Sequence, residues 1–404
     1  MTVRYNLKVL CLFLFIESIF AGLNPIVLIP GDGGSQVEAK LNKSSTVHYI
    51  CEKTTSDYFN IWLNMELLVP LVIDCWIDNI KLLYDKKTRT TRNNDGVDIR
   101  IPGFGGSETV EWLDPSHAST GSYFNNIANT LVKAGHVRNQ TIKGAPYDFR
   151  KAPNENAEFF INLKNLIEET YVDNNNQSII LIAHSMGGPM ALYFLNHVSQ
   201  EWKDKYIKCM VTLSGAWGGS VKAIKVYAIG DDLGSYVLRE SVMKQEQITS
   251  PSLAWLLPSR LFWKPDEVLV QTESKNFTLN DLQAFFKAIN YPNGWEMRKD
   301  TESYQLNFKP PGVEVHCLYG ISVATVERLY YKPGTWLDGY PVLINGDGDG
   351  TVNRRSLEGC LHWSRLQKQK VYYKQLPNVD HMQILRDQAT LDYINDLIEH
   401  IQQD

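Results

Sequence analysis

Short, unbroken apolar runs alternate along this chain with longer stretches of helical periodicity, the arrangement expected of parallel strands joined by helices. Asn24–Pro30 (N-P-I-V-L-I-P) predicts a first core strand, and Asp98–Pro102 and Thr141–Pro146 predict further strand ends. Asn154–Tyr171 places Phe159, Phe160, Leu163, Leu166 and Ile167 on one helix face and leads into the β-branched run Ser178–Ala183. Ile207–Leu213, Val313–Gly320 and Val342–Asn345 predict more core strands, and Leu391–Ile401 a closing helix. Strands alternating with helices make the expected fold class α/β, with a mostly parallel sheet.

The run Ser178–Ala183 ends in His184-Ser185-Met186-Gly187-Gly188, and a helical pattern follows at once. Strand, sharp glycine-bearing turn and helix form the context of a nucleophile elbow, which exposes a serine hydroxyl above a helix N-terminus. Ala183 stands where G-x-S-x-G has its first glycine, and alanine still permits close strand–helix approach. The first strand closes in Gly31-Asp32-Gly33-Gly34, where this architecture builds half of an oxyanion hole. The Asp32 and Met186 backbone N–H groups are the expected oxyanion donors.

Three stretches depart from the α/β rhythm. Residues 51–84 concentrate aromatic and aliphatic side chains between two cysteines, which suggests a membrane-docking subdomain with Trp62, Leu67, Leu68 and Trp76 as anchors. Residues 217–246 mix glycines with scattered apolar positions and read as a lid loop with glycine hinges. Residues 247–312 read as a cap inserted over the site.

Two basic residues, Arg4 and Lys8, precede the apolar run Val9–Phe20 and the small residues Ala21-Gly22, the form of a secretory signal peptide over 1–22. The mature chain is then expected to span 23–404. With Cys11 removed, five of the 6 cysteines remain. Cys209, in an apolar strand, is expected to be a free buried thiol. The other four allow three pairings, of which local closure favours Cys51–Cys75 and Cys317–Cys360. Sequons at Asn42, Asn139, Asn176 and Asn276 suit the same oxidising compartment. A formal charge of -5 without a long basic run argues against nucleic acid as a partner.

Chemistry near the C-terminus completes a series. Gly346-Asp347-Gly348-Asp349-Gly350-Thr351 is a carboxylate cluster at a glycine-rich strand end, lacking the later ligands of a calcium loop. In the chain order Ser…Asp…His, Asp349 is the expected acid, standing at the last step before the turn, and His381 the expected base. Neither His184, beside the nucleophile, nor His400, in the terminal helix, suits that order. No metal site or cofactor is expected.

The runs P-G-D-G-G (Pro30–Gly34), I-W-L-N (Ile61–Asn64), I-D-C-W-I-D-N (Ile73–Asn79), P-Y-D-F-R (Pro146–Arg150), A-H-S-M-G, H-C-L-Y-G (His316–Gly320) and G-D-G-D-G-T-V-N resemble the lecithin–cholesterol acyltransferase family. The resemblance extends from about Asn24 to the C-terminus and is strongest to the lysosomal phospholipase branch. It implies an α/β-hydrolase core with inserted membrane-binding subdomain, cap and lid, and the triad and oxyanion positions named above. It implies the disulfides Cys51–Cys75 and Cys317–Cys360. It further implies a monomeric serine enzyme that docks on anionic phospholipid membranes and cleaves fatty acyl esters of glycerophospholipids. The acyl group would pass to water or to a lipophilic alcohol such as ceramide, in the lysosome or after secretion. A secreted phosphatidylcholine–sterol acyltransferase is the alternative, which D-G-D-G-T and the P-G-D-G-G loop disfavour. Gly33, after P-G-D, departs from the family and is expected to loosen the oxyanion loop.

Overall fold

The computed structural model describes residues 22–234 and 238–403, so the expected signal peptide falls, but for Gly22, outside the described residues. Six strands build a parallel sheet: β1 (Ile26–Ile29), β2 (Ile142–Gly144), β3 (Ile179–His184), β4 (Ile207–Leu213), β5 (Val315–Ile321) and β6 (Val371–Pro377). Their order across the sheet is β6-β5-β4-β3-β1-β2. Successive side chains on a strand face opposite sides. Val27, Ile29, Leu181 and Ala183 accordingly join one buried cluster with Leu163, Ile167, Met190 and Phe194 from flanking helices. Ile26, Leu28, Ile180 and Ile182 join the other, with Ile127, Leu131, Ile394 and Ile398. Burial on both faces explains why these strands read as unbroken apolar runs rather than alternating ones. The topology is that of an α/β-hydrolase core.

A second body sits on this core. Strands Asn276–Thr278, Val268–Gln271, Val323–Tyr330 and Val342–Gly348 form a four-stranded sheet in that order. Helices Val221–Ile229, Leu282–Ala288 and Pro292–Thr301 contribute to the apolar cluster that this sheet shares. The expected cap at 247–312 is therefore only part of this body. Val342–Asn345 does not return to the parallel sheet, as its apolar run suggested. It pairs antiparallel with Val323–Tyr330, which departs from β5 after the left-handed Ser322. Four apolar residues in a row carry no period from which to choose a sheet.

The expected lid loop at 217–246 is also corrected. Val221–Ile229 is a helix, capped by the Ser220 hydroxyl, with Val221, Ala223, Ile224, Val226 and Tyr227 buried, and Glu240–Gln247 is a second helix. Packing of one apolar face under the four-stranded sheet outweighs the scattered glycines. Residues 235–237 lie outside the described segment.

Residues 51–84 hold strand Phe59–Trp62, which pairs with Val37–Leu41, and helix Ile73–Ile80. The disulfide Cys51–Cys75 joins that helix to the preceding loop, and Cys317–Cys360 joins β5 to the segment after the acidic turn. Cys209 is free and buried, and its burial pushes the thiol well above its ordinary range. The four sequon asparagines, Asn42, Asn139, Asn176 and Asn276, are exposed. Among the described residues no helix is long and apolar enough to cross a membrane.

Candidate active site

Strand β3 delivers Ser185 in a left-handed conformation, φ 55°, and the helix Gly187–Leu195 begins two residues later. Such a backbone is rare outside glycine and is stored strain at a turn that aims one side chain outward. Glycine at two neighbouring positions makes the turn possible. A Cβ on Gly31 would lie 2.6 Å from the Ser185 Cβ, and one on Gly187 would lie 2.4 Å from the Ile29 carbonyl oxygen. Ala183 is fully buried opposite Ile29, so the small alanine suffices where a glycine is usual.

His381, in the loop after β6, places Nε2 2.8 Å from Ser185 Oγ. Its Nδ1 lies 2.7 Å from Asp349 Oδ2. The other Asp349 oxygen accepts the N–H groups of Thr351 at 3.0 Å and Val352 at 2.7 Å. Burial opposes ionisation of Asp349, but the His381 imidazole and these N–H groups outweigh it and hold the carboxyl below its ordinary value. Asp347 is instead half-exposed and bound to Arg354 at 2.9 Å. The three residues expected from chain order thus meet, with Asp349 rather than Asp347 facing the base.

The loop Gly31–Gly34, expected to supply an oxyanion donor, is pinned from three sides. Gly31 donates its N–H to the Tyr123 hydroxyl at 2.9 Å, and the Tyr147 hydroxyl donates to the Pro30 carbonyl at 2.9 Å. The Trp62 indole N–H donates to the Gly33 carbonyl at 2.8 Å. Gly33 adopts φ 69°, so the residue expected to loosen the loop instead occupies a conformation that favours glycine and is held there. Among the described residues neither the Asp32 nor the Met186 backbone N–H meets a protein acceptor; Met186 directly follows Ser185, and Asp32 follows Gly31, which packs against Ser185. Asp32 is exposed as a residue, but protein surrounds its carboxyl group. Loss of hydration there, opposed by the Gly33 N–H and Lys222, pushes it up to about 7.

Two of the expected membrane anchors are interior. Trp76 is 1% exposed, with its indole N–H bonded to the Ile61 carbonyl at 2.8 Å, and Leu68 is 3% exposed. Trp62 is half-buried against the oxyanion loop, and Leu67 is half-buried on the core cluster. A densely apolar stretch does not reveal which of its side chains find a partner; here the helix face carrying Trp76 finds the core. The outward apolar residues are Met65, Val69 and Leu71, 42%, 44% and 69% exposed.

Three carboxylates, Asp231, Asp232 and Glu240, come close enough to suggest a cation. Lys225 already pairs with Glu240 and Asp231, and Lys222 with Asp231, so their charge is largely balanced. Tyr123 escaped sequence reasoning because its partners Gly31 and His184 lie far away along the chain, with no local motif to flag it, and Tyr147 stood in the P-Y-D-F-R run without its bond to Pro30 being legible.

Residues 58–388 match the family described as Lecithin:cholesterol acyltransferase. The chain is 46% identical over 370 residues to "Lysosomal phospholipase A and acyltransferase" of Homo sapiens, covering 92% of this chain and 89% of that protein. It is 42% identical over 367 residues to "Phosphatidylcholine-sterol acyltransferase" of Gallus gallus, covering 91% and 88%. To the Homo sapiens protein of that second name it is 37% identical over 375 residues, covering 93% and 84%. With a triad-like constellation on an α/β-hydrolase core and relatives of this extent, the chain belongs to the lecithin:cholesterol acyltransferase family of acyltransferases and phospholipases.

Proposed function

We propose that this chain is a serine phospholipase and transacylase that works at phospholipid membranes in the lysosome. The hydrogen-bond chain Ser185–His381–Asp349 carries the reading. His381 Nε2 takes the Ser185 proton as Oγ attacks the ester carbonyl of a glycerophospholipid. Asp349 holds the imidazole in the tautomer that presents Nε2 and stabilises its charged form. The Asp32 and Met186 N–H groups receive the oxyanion, and the lysophospholipid leaves with the proton from His381. Water, or a lipophilic alcohol such as ceramide, is deprotonated by His381 and takes the acyl group. A small pocket lined by Pro189, Leu192, Trp217, Trp255, Leu256 and Phe308, with Tyr193 and Gln305, lies beside the nucleophile helix and has room for about one water molecule as it stands.

Met65, Val69 and Leu71 form the apolar surface that would meet the bilayer, with the enzyme acting as a monomer. The lysosomal setting is supported by the names and greater identity of the lysosomal relatives over the sterol acyltransferases. The test is to incubate the purified chain and Ser185→Ala with mixed-acyl phosphatidylcholine liposomes containing either ceramide or cholesterol. Acylceramide and free fatty acid from the unmutated chain, both absent with Ser185→Ala, are expected. Preferential sterol ester formation would favour the secreted sterol acyltransferase instead, and product from Ser185→Ala would overturn the nucleophile.

A further inference from the structure

Tyr123 and His184 stand outside the Ser185–His381–Asp349 chain but bridge its two sides. Both are buried, 3% and 1% exposed, so water does not compete for their polar atoms. Gly31, next to the oxyanion donor Asp32, gives its N–H to the Tyr123 hydroxyl at 2.9 Å. The phenolic proton is then free to go to His184 Nδ1, the other partner of that oxygen. Nδ1 must offer its lone pair, which leaves the ring proton on Nε2. Nε2 lies 2.8 Å from the His381 carbonyl oxygen and donates to it. The His381 N–H in turn donates to the Asp349 carbonyl at 2.8 Å. One assignment of protons satisfies every link.

We propose that Tyr123 and His184 are positioning residues, a buried relay that fixes the oxyanion loop in register with the loop carrying the base. The proposal rests on the roles given above to Ser185, His381 and Asp32. The relay is the hydrogen-bonded path between Gly31 and the His381 backbone, whose loops enter the site from β1 and β6, four strands apart in the sheet, and are otherwise held by separate partners. Placement errors of about 1 Å at reacting groups can cost about a hundredfold in rate. The rings reinforce the bonds: His184 packs edge-on to Tyr123 with centroids 5.4 Å apart and lies 4.9 Å from His381. Burial, and then the neighbouring His381, push His184 down to about 3, with the His381 carbonyl and Asp349 opposing. The relay therefore keeps its donor and acceptor pattern at pH 4.5 and above.

Four variants test this with a soluble short-chain ester: Tyr123→Phe, His184→Gln, His184→Leu and the double variant Tyr123→Phe/His184→Leu. Tyr123→Phe keeps the shape of the ring and is expected to lower kcat about tenfold, with KM within twofold and the acid limb of the pH profile in place. His184→Gln retains a donor toward the His381 carbonyl and should lose less than His184→Leu. The double variant should fall within about twofold of the worse single one, since either change breaks the same relay. Losses that multiply, or a Tyr123→Phe kcat within twofold of the unmutated chain, would overturn the relay. Tyr123→Phe alone decides the matter if His184→Leu does not fold. Labelling of the unmutated chain with a fluorophosphonate separates the two layers. No label on Ser185 refutes the nucleophile itself, whereas normal labelling with an unaffected Tyr123→Phe refutes only the relay.

Discussion

His381 and Asp349 are joined twice. The ring Nδ1 meets the carboxylate at 2.7 Å, and the His381 backbone N–H meets the Asp349 carbonyl at 2.8 Å. The second bond ties the two loops together whatever the side chains do, so a change at the carboxylate leaves the imidazole close to its place.

That double link separates orientation from folding. Asp349→Asn is expected to lower kcat by about 10⁴ with little change in fold, because the amide favours the wrong tautomer of His381. Asp347→Asn loses only part of its exposed contact with Arg354 and should stay within a few-fold of the unmutated rate. Initial rates on a soluble ester decide it; the reverse order of damage would reassign the acid.

That Ser185, Asp349 and His381 each stand at a strand-end turn was readable because each turn is a local feature. A strand ends, a glycine turn follows, and the chemistry-bearing side chain stands at the turn. Residues whose role depends on distant partners were not readable. Trp76 looks like an interfacial anchor until the core face of helix Ile73–Ile80 is known, and Tyr123 looks like any core tyrosine until Gly31 and His184 are brought to it. Val342–Gly348 misleads for a related reason: its apolar start suits either sheet, and only its pairing with Val323–Tyr330 places it.

The burial of Trp76 shifts the proposed docking surface to Met65, Val69 and Leu71. Serine at Met65, Val69 and Leu71 together should weaken association with phospholipid liposomes about tenfold or more while leaving soluble-ester turnover within twofold. Trp76→Ser should instead lower the melting temperature and damage turnover of both substrates, as a large-to-small change in a packed core does. Co-sedimentation and thermal melts are the two measurements. Unchanged liposome binding in the triple variant would remove the docking surface from this stretch.

The disulfide Cys51–Cys75, with a sequence separation of 24, closes the loop that carries Met65, Val69 and Leu71. Replacing both cysteines by serine should cost about 3 kcal/mol of stability by restoring freedom to the unfolded chain. The denaturation midpoint should fall, and proteolysis should begin within 51–75. An unchanged midpoint would mean that the strand Phe59–Trp62 and helix Ile73–Ile80 are held by packing alone.

Two carboxyl groups link stability to pH. Burial raises Glu246 from 4.5 to about 8, with Asp32 adding to the rise and Arg150 and the Ser250 hydroxyl opposing it. The Asp32 carboxyl is raised in the same direction, from 3.8 to about 7, by the protein packed around it, although the residue is exposed. The folded state therefore binds these protons more tightly than the unfolded state. Their contribution to stability is undiminished below about pH 4 and is lost as pH rises toward 8, opposite in sign to that of carboxylates with lowered values such as Asp349 and Asp231. Glu246→Gln removes one such proton site from the buried position and should raise the melting temperature by about 2 °C or more at pH 7.5 while changing it little at pH 4.5. A larger gain at pH 4.5 than at pH 7.5 would contradict the sign.

Charge at the membrane follows from the same groups. The formal charge is -5, and removal of Arg4, Lys8 and Glu17 with the expected signal peptide would make it about -6. Ionisation of all 9 histidines would carry it to about +3. The structure withholds two of them, since burial pushes His136 down to about 4, and burial with His381 pushes His184 down to about 3. Burial also lowers His316, with Glu314 opposing. The raised carboxyls of Asp32 and Glu246 offset that loss, being neutral at pH 5 where the formal count treats them as charged. A reversal of sign on acidification therefore survives, from repulsion by anionic bilayers at neutral pH to attraction in an acidic lumen. Each basic group near such a surface contributes up to about 1 kcal/mol. Association with anionic liposomes should rise as pH falls from 7.5 to 4.5 and weaken with added salt, while association with zwitterionic liposomes should change little. His381 must be neutral to act as a base, so turnover of a soluble ester should not rise in parallel. Liposome association that is flat with pH would show that apolar contact alone seats the enzyme on the bilayer.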